Sequence, residues 1–198
     1  MAVSLQKGQK VSLQKGNEGL SKVLVGLGWD QAQAKKRGLF GALKSESQID
    51  CDGSVIMLQE NKLKSQDDII YFGNLRHSSK SVIHNGDNLT GAGDGDDEQI
   101  MLSLNDIPEI YNRIVFVINI YQAQQRKQHF GMIQNAFIRI VDAKNNTEMY
   151  RYNLTDDYTN MTAMIFGEIY RHDGEWKFNA IGQGTNDLGL NELVKRYV

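Results

Sequence analysis

The densest concentration of chemically capable residues is one short stretch, His84-Asn85-Gly86-Asp87-Asn88-Leu89-Thr90-Gly91-Ala92-Gly93-Asp94-Gly95-Asp96-Asp97-Glu98. It holds five carboxylates and the side-chain amides of Asn85 and Asn88, with glycine at positions 86, 91, 93 and 95. A hard cation such as Ca²⁺ takes about 6–8 oxygens at roughly 2.3–2.6 Å from carboxylates, amides and backbone carbonyls. The glycines let the chain curl and turn its carbonyls inward. Between Lys80 and Arg113 the only basic residue is His84, whereas Asp87, Asp94, Asp96, Asp97, Glu98, Asp106 and Glu109 all lie there. Carboxylates crowded in this way repel one another unless a positive charge joins them. The competing reading is a solvated acidic turn, which an isolated Asp-Gly-Asp would favour. An EF-hand is excluded, because Leu89 and Gly91 fall at ligand positions and Ala92 replaces the required glycine.

A second acidic element is Ile49-Asp50-Cys51-Asp52-Gly53. Strand alternation puts Asp50 and Asp52 on one face and Cys51 on the other. Asp30, closing Gly26-Leu27-Gly28-Trp29-Asp30, is a third candidate; edge or turn placement is the alternative for all three. Cys51 is the only cysteine, which excludes an intrachain disulfide, and its acidic neighbours argue for a small core residue rather than a reactive thiol. His77, His84, His129 and His172 have no zinc-type spacing. Nucleophile-elbow, Walker and dinucleotide fingerprints are missing from the sequence.

These blocks resemble the TerD family, the tellurite-resistance and general-stress proteins of bacteria, and look nearest to members from Bacillus stress operons. The resemblance is carried by Gly26-Leu27-Gly28-Trp29-Asp30, Ile49-Asp50-Cys51-Asp52, Gly86-Asp87-Asn88-Leu89-Thr90-Gly91 and Gly95-Asp96-Asp97-Glu98-Gln99-Ile100. Phe130-Gly131, Asn135-Ala136-Phe137-Ile138-Arg139 and Gly167-Glu168-Ile169-Tyr170-Arg171 extend it over nearly the whole chain. Gly53 departs from the family's usual alanine. The resemblance implies a β-sandwich binding two calcium ions and a role in resistance to tellurite and other stresses. Carried residue by residue, the metal ligands are Asp87, Asn88, Asp94, Asp96 and Glu98, then Asp97, Asp50, Asp52 and Asp30. The expected function is a non-catalytic, calcium-binding interaction module acting with other stress or tellurite-resistance proteins at the inner membrane surface. The alternative is a Mg²⁺- or Mn²⁺-dependent phosphoester hydrolase using the same carboxylates. Against it, no lysine or arginine stands near the loop in sequence to hold a phosphate.

The elements that must position these residues are short and β-rich. Runs at 22–28, 49–58, 69–72, 99–104, 113–121, 136–141, 148–154, 163–171 and 175–182 are rich in Val, Ile, Tyr and Phe and bounded by Gly, Asn and Asp. Asp173-Gly174 marks a tight hairpin. Val-Ser-Leu-Gln-Lys-Gly occurs twice, at 3–8 and 11–16, as two extended pieces each closed by a glycine turn. Helix is expected only at 107–112, around 122–129 and at the terminal 190–197; residues 31–47 read as an exposed loop. The fold class is therefore mainly β, an antiparallel sandwich of two sheets with a few short helices, in one domain over 1–198. A net charge of −2 and scattered basic residues argue against nucleic acid as a partner. No segment approaches the roughly 20 apolar residues of a membrane span, nor does the N-terminus carry a secretory apolar run, so the cytoplasm is the expected compartment.

Overall fold

The computed structural model describes residues 2–31, 49–87 and 95–198, with backbone alone at Gln31 and Asp87. The loop expected over 31–47, like Asn88 and Asp94, lies outside the described residues apart from the backbone of Gln31.

The strands are β1 (Val3–Leu5), β2 (Lys10–Ser12), β3 (Lys22–Gln31), β4 (Cys51–Leu58), β5 (Ile69–Ile70) and β6 (Val82–Asp87). They continue as β7 (Glu98–Ser103), β8 (Arg113–Ile120), β9 (Ile133–Asp142), β10 (Thr147–Asn153), β11 (Ala163–His172) and β12 (Glu175–Thr185). Among the described residues two six-stranded sheets result, ordered β1-β10-β9-β3-β7-β6 and β2-β12-β11-β8-β4-β5. All pairings are antiparallel except that of β1 with β10, which is parallel. Alternation dictates the packing. Val23, Val25 and Leu27 of β3, Ile100 and Leu102 of β7 and Ile138 and Ile140 of β9 meet Val55, Met57, Phe116, Ile118, Phe166 and Phe178 of the other sheet in one core. Each large side chain so buried contributes about 1.5–3 kcal/mol.

The duplicated Val-Ser-Leu-Gln-Lys-Gly has a definite job. Its first copy adds β1 to one sheet, its second adds β2 to the other, and Leu5 and Leu13 enter the same core. Gly8 and Gly16 turn at φ of +79° and +80°, where a side chain would be strained. One repeated phrase thus closes both sheets along the same flank.

β8 is buried along almost its whole length. Its second face, with Val115 and Val117, packs under Leu193 and Val194 in a separate apolar cluster. Those two residues come from the C-terminal helical segment, α-helical at Leu190–Leu193 and 3₁₀ at Val194–Tyr197. The helix expected at 107–112 is not formed. A 3₁₀ turn at Leu104–Asp106 precedes it, Ile107 and Tyr111 are pulled into the core, and Arg171 donates to the carbonyls of both. Strand β6 was not legible in the sequence, because its polar second half, His84-Asn85-Gly86-Asp87, breaks apolar alternation.

Candidate metal site at one pole of the sandwich

The acidic stretch is the connection between β6 and β7, mounted on an edge hairpin. Asp87 stands opposite Glu98 in the register, after an irregularity between His84 and Asp87. Gly86 absorbs that irregularity at φ +87°. His84 is 2% exposed. Its Nδ1 accepts from the Gly86 amide at 3.1 Å, which assigns the proton to Nε2. Nε2 lies 3.2 Å from the Gly53 carbonyl and 3.3 Å from a Glu98 carboxylate oxygen. Glu98 itself points inward between the sheets, with its other oxygen 3.5 Å from the Gly53 amide nitrogen. His84 therefore tethers the loop's two ends to β4.

Asp96 has a different environment from the one its sequence neighbours suggest. Arg139, 43 residues away on β9, donates to both its oxygens at 2.7 and 2.9 Å, and Gln99 donates at 3.1 Å. The Asp96 side chain is fully buried, while that of Arg139 is 26% exposed. Hydrogen bonding to Asp96 raises the guanidinium's pKa above its ordinary value, against the effect of burial. Arg139 also reaches Glu148 at 3.0 Å, which Arg151 holds at 2.8 Å, so the four form a charged chain on the outer face of the first sheet. Gly26, paired with Arg139, makes room for it: a Cβ there would collide with the Asp96 carboxylate. Gly28 similarly accommodates the Phe137 ring.

Asp97 joins the loop to β3. Its carboxylate accepts from the Trp29 amide at 2.7 Å, and its own amide donates to the Leu27 carbonyl at 2.8 Å. Asp30, at the end of the same strand, accepts from Asn135 at 2.8 Å and is exposed. Asp30, Gly95, Asp97, Asn135, Asn153 and the cationic Arg151 line a hollow of about 640 Å³ at this pole. Asp50 is exposed, 4.0 Å from Arg126, and Asp52 accepts from Asn119 at 3.4 Å. Cys51 faces the core between them. Burial pushes its thiol pKa well up, and the charges of Asp52, Asp50, Asp97 and Glu98 push it further.

The described residues bring Asp97, Glu98, Asp50 and Asp52 to the same end of the sandwich as Cys51, but they face apart. Glu98 turns to the Gly53 amide, Asp97 to the Trp29 amide, Asp52 to Asn119 and Asp50 to solvent, with Asp30 exposed at the end of β3. Asp96 is turned to the outer face of the first sheet. Among the described residues no three His, Cys, Asp or Glu side chains converge as a finished coordination shell. What they offer is oxygen: carboxylates, amides and carbonyls, with the one thiol disfavoured as thiolate. That donor set fits a hard cation rather than a thiophilic one.

Arg139 and Gly26 are the site residues that reasoning about metal ligands did not single out. Their signal was present but indirect, a glycine and an arginine inside blocks otherwise of strand type.

The fold and this pole define a class, a two-sheet β-sandwich carrying an acidic edge-hairpin loop. The TerD domain model matches residues 1–197. Over 200 residues the chain is 52% identical to Stress response protein SCP2 of Bacillus subtilis (strain 168), covering all of both chains. It is 47% identical to Tellurium resistance protein TerD of Serratia marcescens, covering all of this chain and 97% of that one. A crystal structure titled as the unknown function protein SAV2460 superposes with a TM-score of 0.63 at 23% identity, covering 88% of this chain and 95% of the other, which supports the fold. The chain belongs to the TerD family, a family of tellurium-resistance and general stress-response proteins.

Proposed function

We propose that this protein is a calcium-dependent, non-catalytic interaction module in the bacterial stress response, with its ions held at the β6–β7 pole. The observation that supports this reading is the oxygen donor set at the end of the acidic loop, where Glu98 is buried against the Gly53 amide and Asp97 is held on the Trp29 amide of β3. Carboxylates concentrated at one end of the molecule repel one another, and a divalent ion relieves that repulsion. In this reading Asp87, Asn88, Asp94, Asp97 and Glu98 supply the inner ligands, and Asp50, Asp52 and Asp30 complete the shell from the neighbouring strands. Asp96 anchors the loop through Arg139.

Tellurite is an anion, and the charged side chains of the acidic loop from His84 to Glu98 are all negative. Protection is therefore indirect, through calcium-dependent contact with other stress or tellurite-resistance proteins at the cytoplasmic membrane surface. Calcium binding to the folded state alone stabilises it by about 2.7 kcal/mol at 100-fold saturation. For a chain of this size that raises the melting midpoint by roughly 5–11 °C. The test is thermal unfolding with millimolar calcium and with chelator, alongside calorimetric titration. Identical midpoints and no heat overturn the reading, as does saturable tellurite binding by the calcium-free protein.

A further inference from the structure

A second concavity, of about 550 Å³, opens on the outer face of the second sheet, where β4 and β8 meet the segment leading into the C-terminal helix. That volume is typical of small-molecule sites. Its lining includes Ser54, 1% exposed, whose Oγ has no hydrogen-bond partner. Buried hydroxyls are nearly always bonded, so an orphan lining a cleft calls for a ligand atom. Asn119, 7% exposed, donates to Asp52 and holds that carboxylate in the lining. Above them stand Phe72 and Tyr121, 68% and 46% exposed, an unusual display of aromatic surface.

Charge decides what fits. Asp52 and Glu192 line the cleft, and no lysine, arginine or histidine is among its described lining residues. The protein already shows the matching recognition beside it: Arg126 lies 5.0 Å from the Tyr121 ring centroid and 4.0 Å from Asp50. We propose that this cleft is a binding site for a small organic ammonium ligand, a primary amine on a short aromatic or apolar body. The ammonium donates to Asp52 and to the amide oxygen of Asn119. The apolar body lies between Phe72 and Tyr121, and a polar substituent reaches Ser54. The inference does not rest on the calcium reading, and Asp52 is the one residue that both readings use.

The test titrates 2-phenylethylammonium chloride into the full chain, in chelator-treated buffer and again with calcium, followed by amide NMR. Saturable shifts at Ser54, Asn119, Tyr121 and Gly189 are expected. The uncharged analogue 2-phenylethanol should bind about tenfold more weakly, as should the probe to Asp52→Asn, because a charge-assisted bond is lost. Phe72→Ala, at an exposed position, should weaken the probe while leaving calcium heats unchanged, which separates this site from the metal pole. Equal binding of the neutral analogue, shifts confined to Asp97 and Glu98, or no saturation up to the probe's solubility overturns the proposal.

Discussion

Replacing Arg139 by methionine removes the cation from a carboxylate that has no access to water. Asp96 is fully buried at its side chain and receives two of its three described hydrogen bonds from Arg139. Breaking one partner of a buried pair typically costs about 3–5 kcal/mol, because the other charge is left without compensation. Arg139 is 26% exposed, so its own desolvation is incomplete, and the lower end of the range, about 3 kcal/mol, is the appropriate expectation. In urea unfolding the variant should show a lower midpoint at unchanged slope. Its thermal midpoint should fall by roughly 6–12 °C for a domain of this length. Adding Asp96→Asn to Arg139→Met should restore part of the loss, giving a coupling of at least about 1.5 kcal/mol in the double-mutant cycle. A loss under about 1 kcal/mol for Arg139→Met, or strict additivity in the cycle, would falsify the assignment of Arg139 as the structural counter-charge of Asp96.

The same geometry predicts that Gly26→Ala, which places a methyl group on the Asp96 carboxylate, destabilises by about 1–3 kcal/mol as an overpacked site. Wild-type stability measured alongside Arg139→Met separates that steric effect from the electrostatic one. Cys51 should react slowly with a thiol reagent near pH 8 in the native protein and rapidly in denaturant, since burial and the carboxylates hold its thiol protonated; equal rates in both states would contradict the placement. Hydrogen bonds from Arg151 and Arg139 outweigh burial to hold Glu148 below its ordinary value of 4.5. Its stabilisation is present above that pH and is lost as pH falls through the depressed value, so Glu148→Gln should flatten the acid limb of the stability curve. At the alkaline end, burial and Asp68 push Tyr111 up to about 12, and burial first, with Glu168, does the same for Tyr197. The stability they confer is intact below pH 10 and is lost as pH climbs toward 12, which an alkaline unfolding titration should register as a falling limb.

Strand runs were legible wherever one face is apolar: 22–28, 99–104 and 136–141 all became strands, extended or trimmed by a few residues at their ends. The alternation that put Cys51 opposite Asp50 and Asp52 also held, with Cys51 in the core. Where local signals failed, a long-range contact had replaced them. The helix expected over 107–112 gave way because Ile107 and Tyr111 are worth more in the core than in a helical turn. β6 escaped notice because its pairing with β7, not its own composition, makes it a strand.

The sequence by itself determined the sandwich class, the family and the existence of an acidic, oxygen-rich loop, because those depend on residue type and short-range spacing. Only the tertiary structure decided which charges that loop meets. Between Lys80 and Arg113 the chain offers no other lysine or arginine, yet strand pairing sets Arg139 beside Gly26 and so against Asp96. It likewise brings β4 to the loop, setting the Gly53 amide against Glu98 and the Gly53 carbonyl against His84. Electrostatics acts through space, and distance in space is set by strand register between residues far apart in the chain.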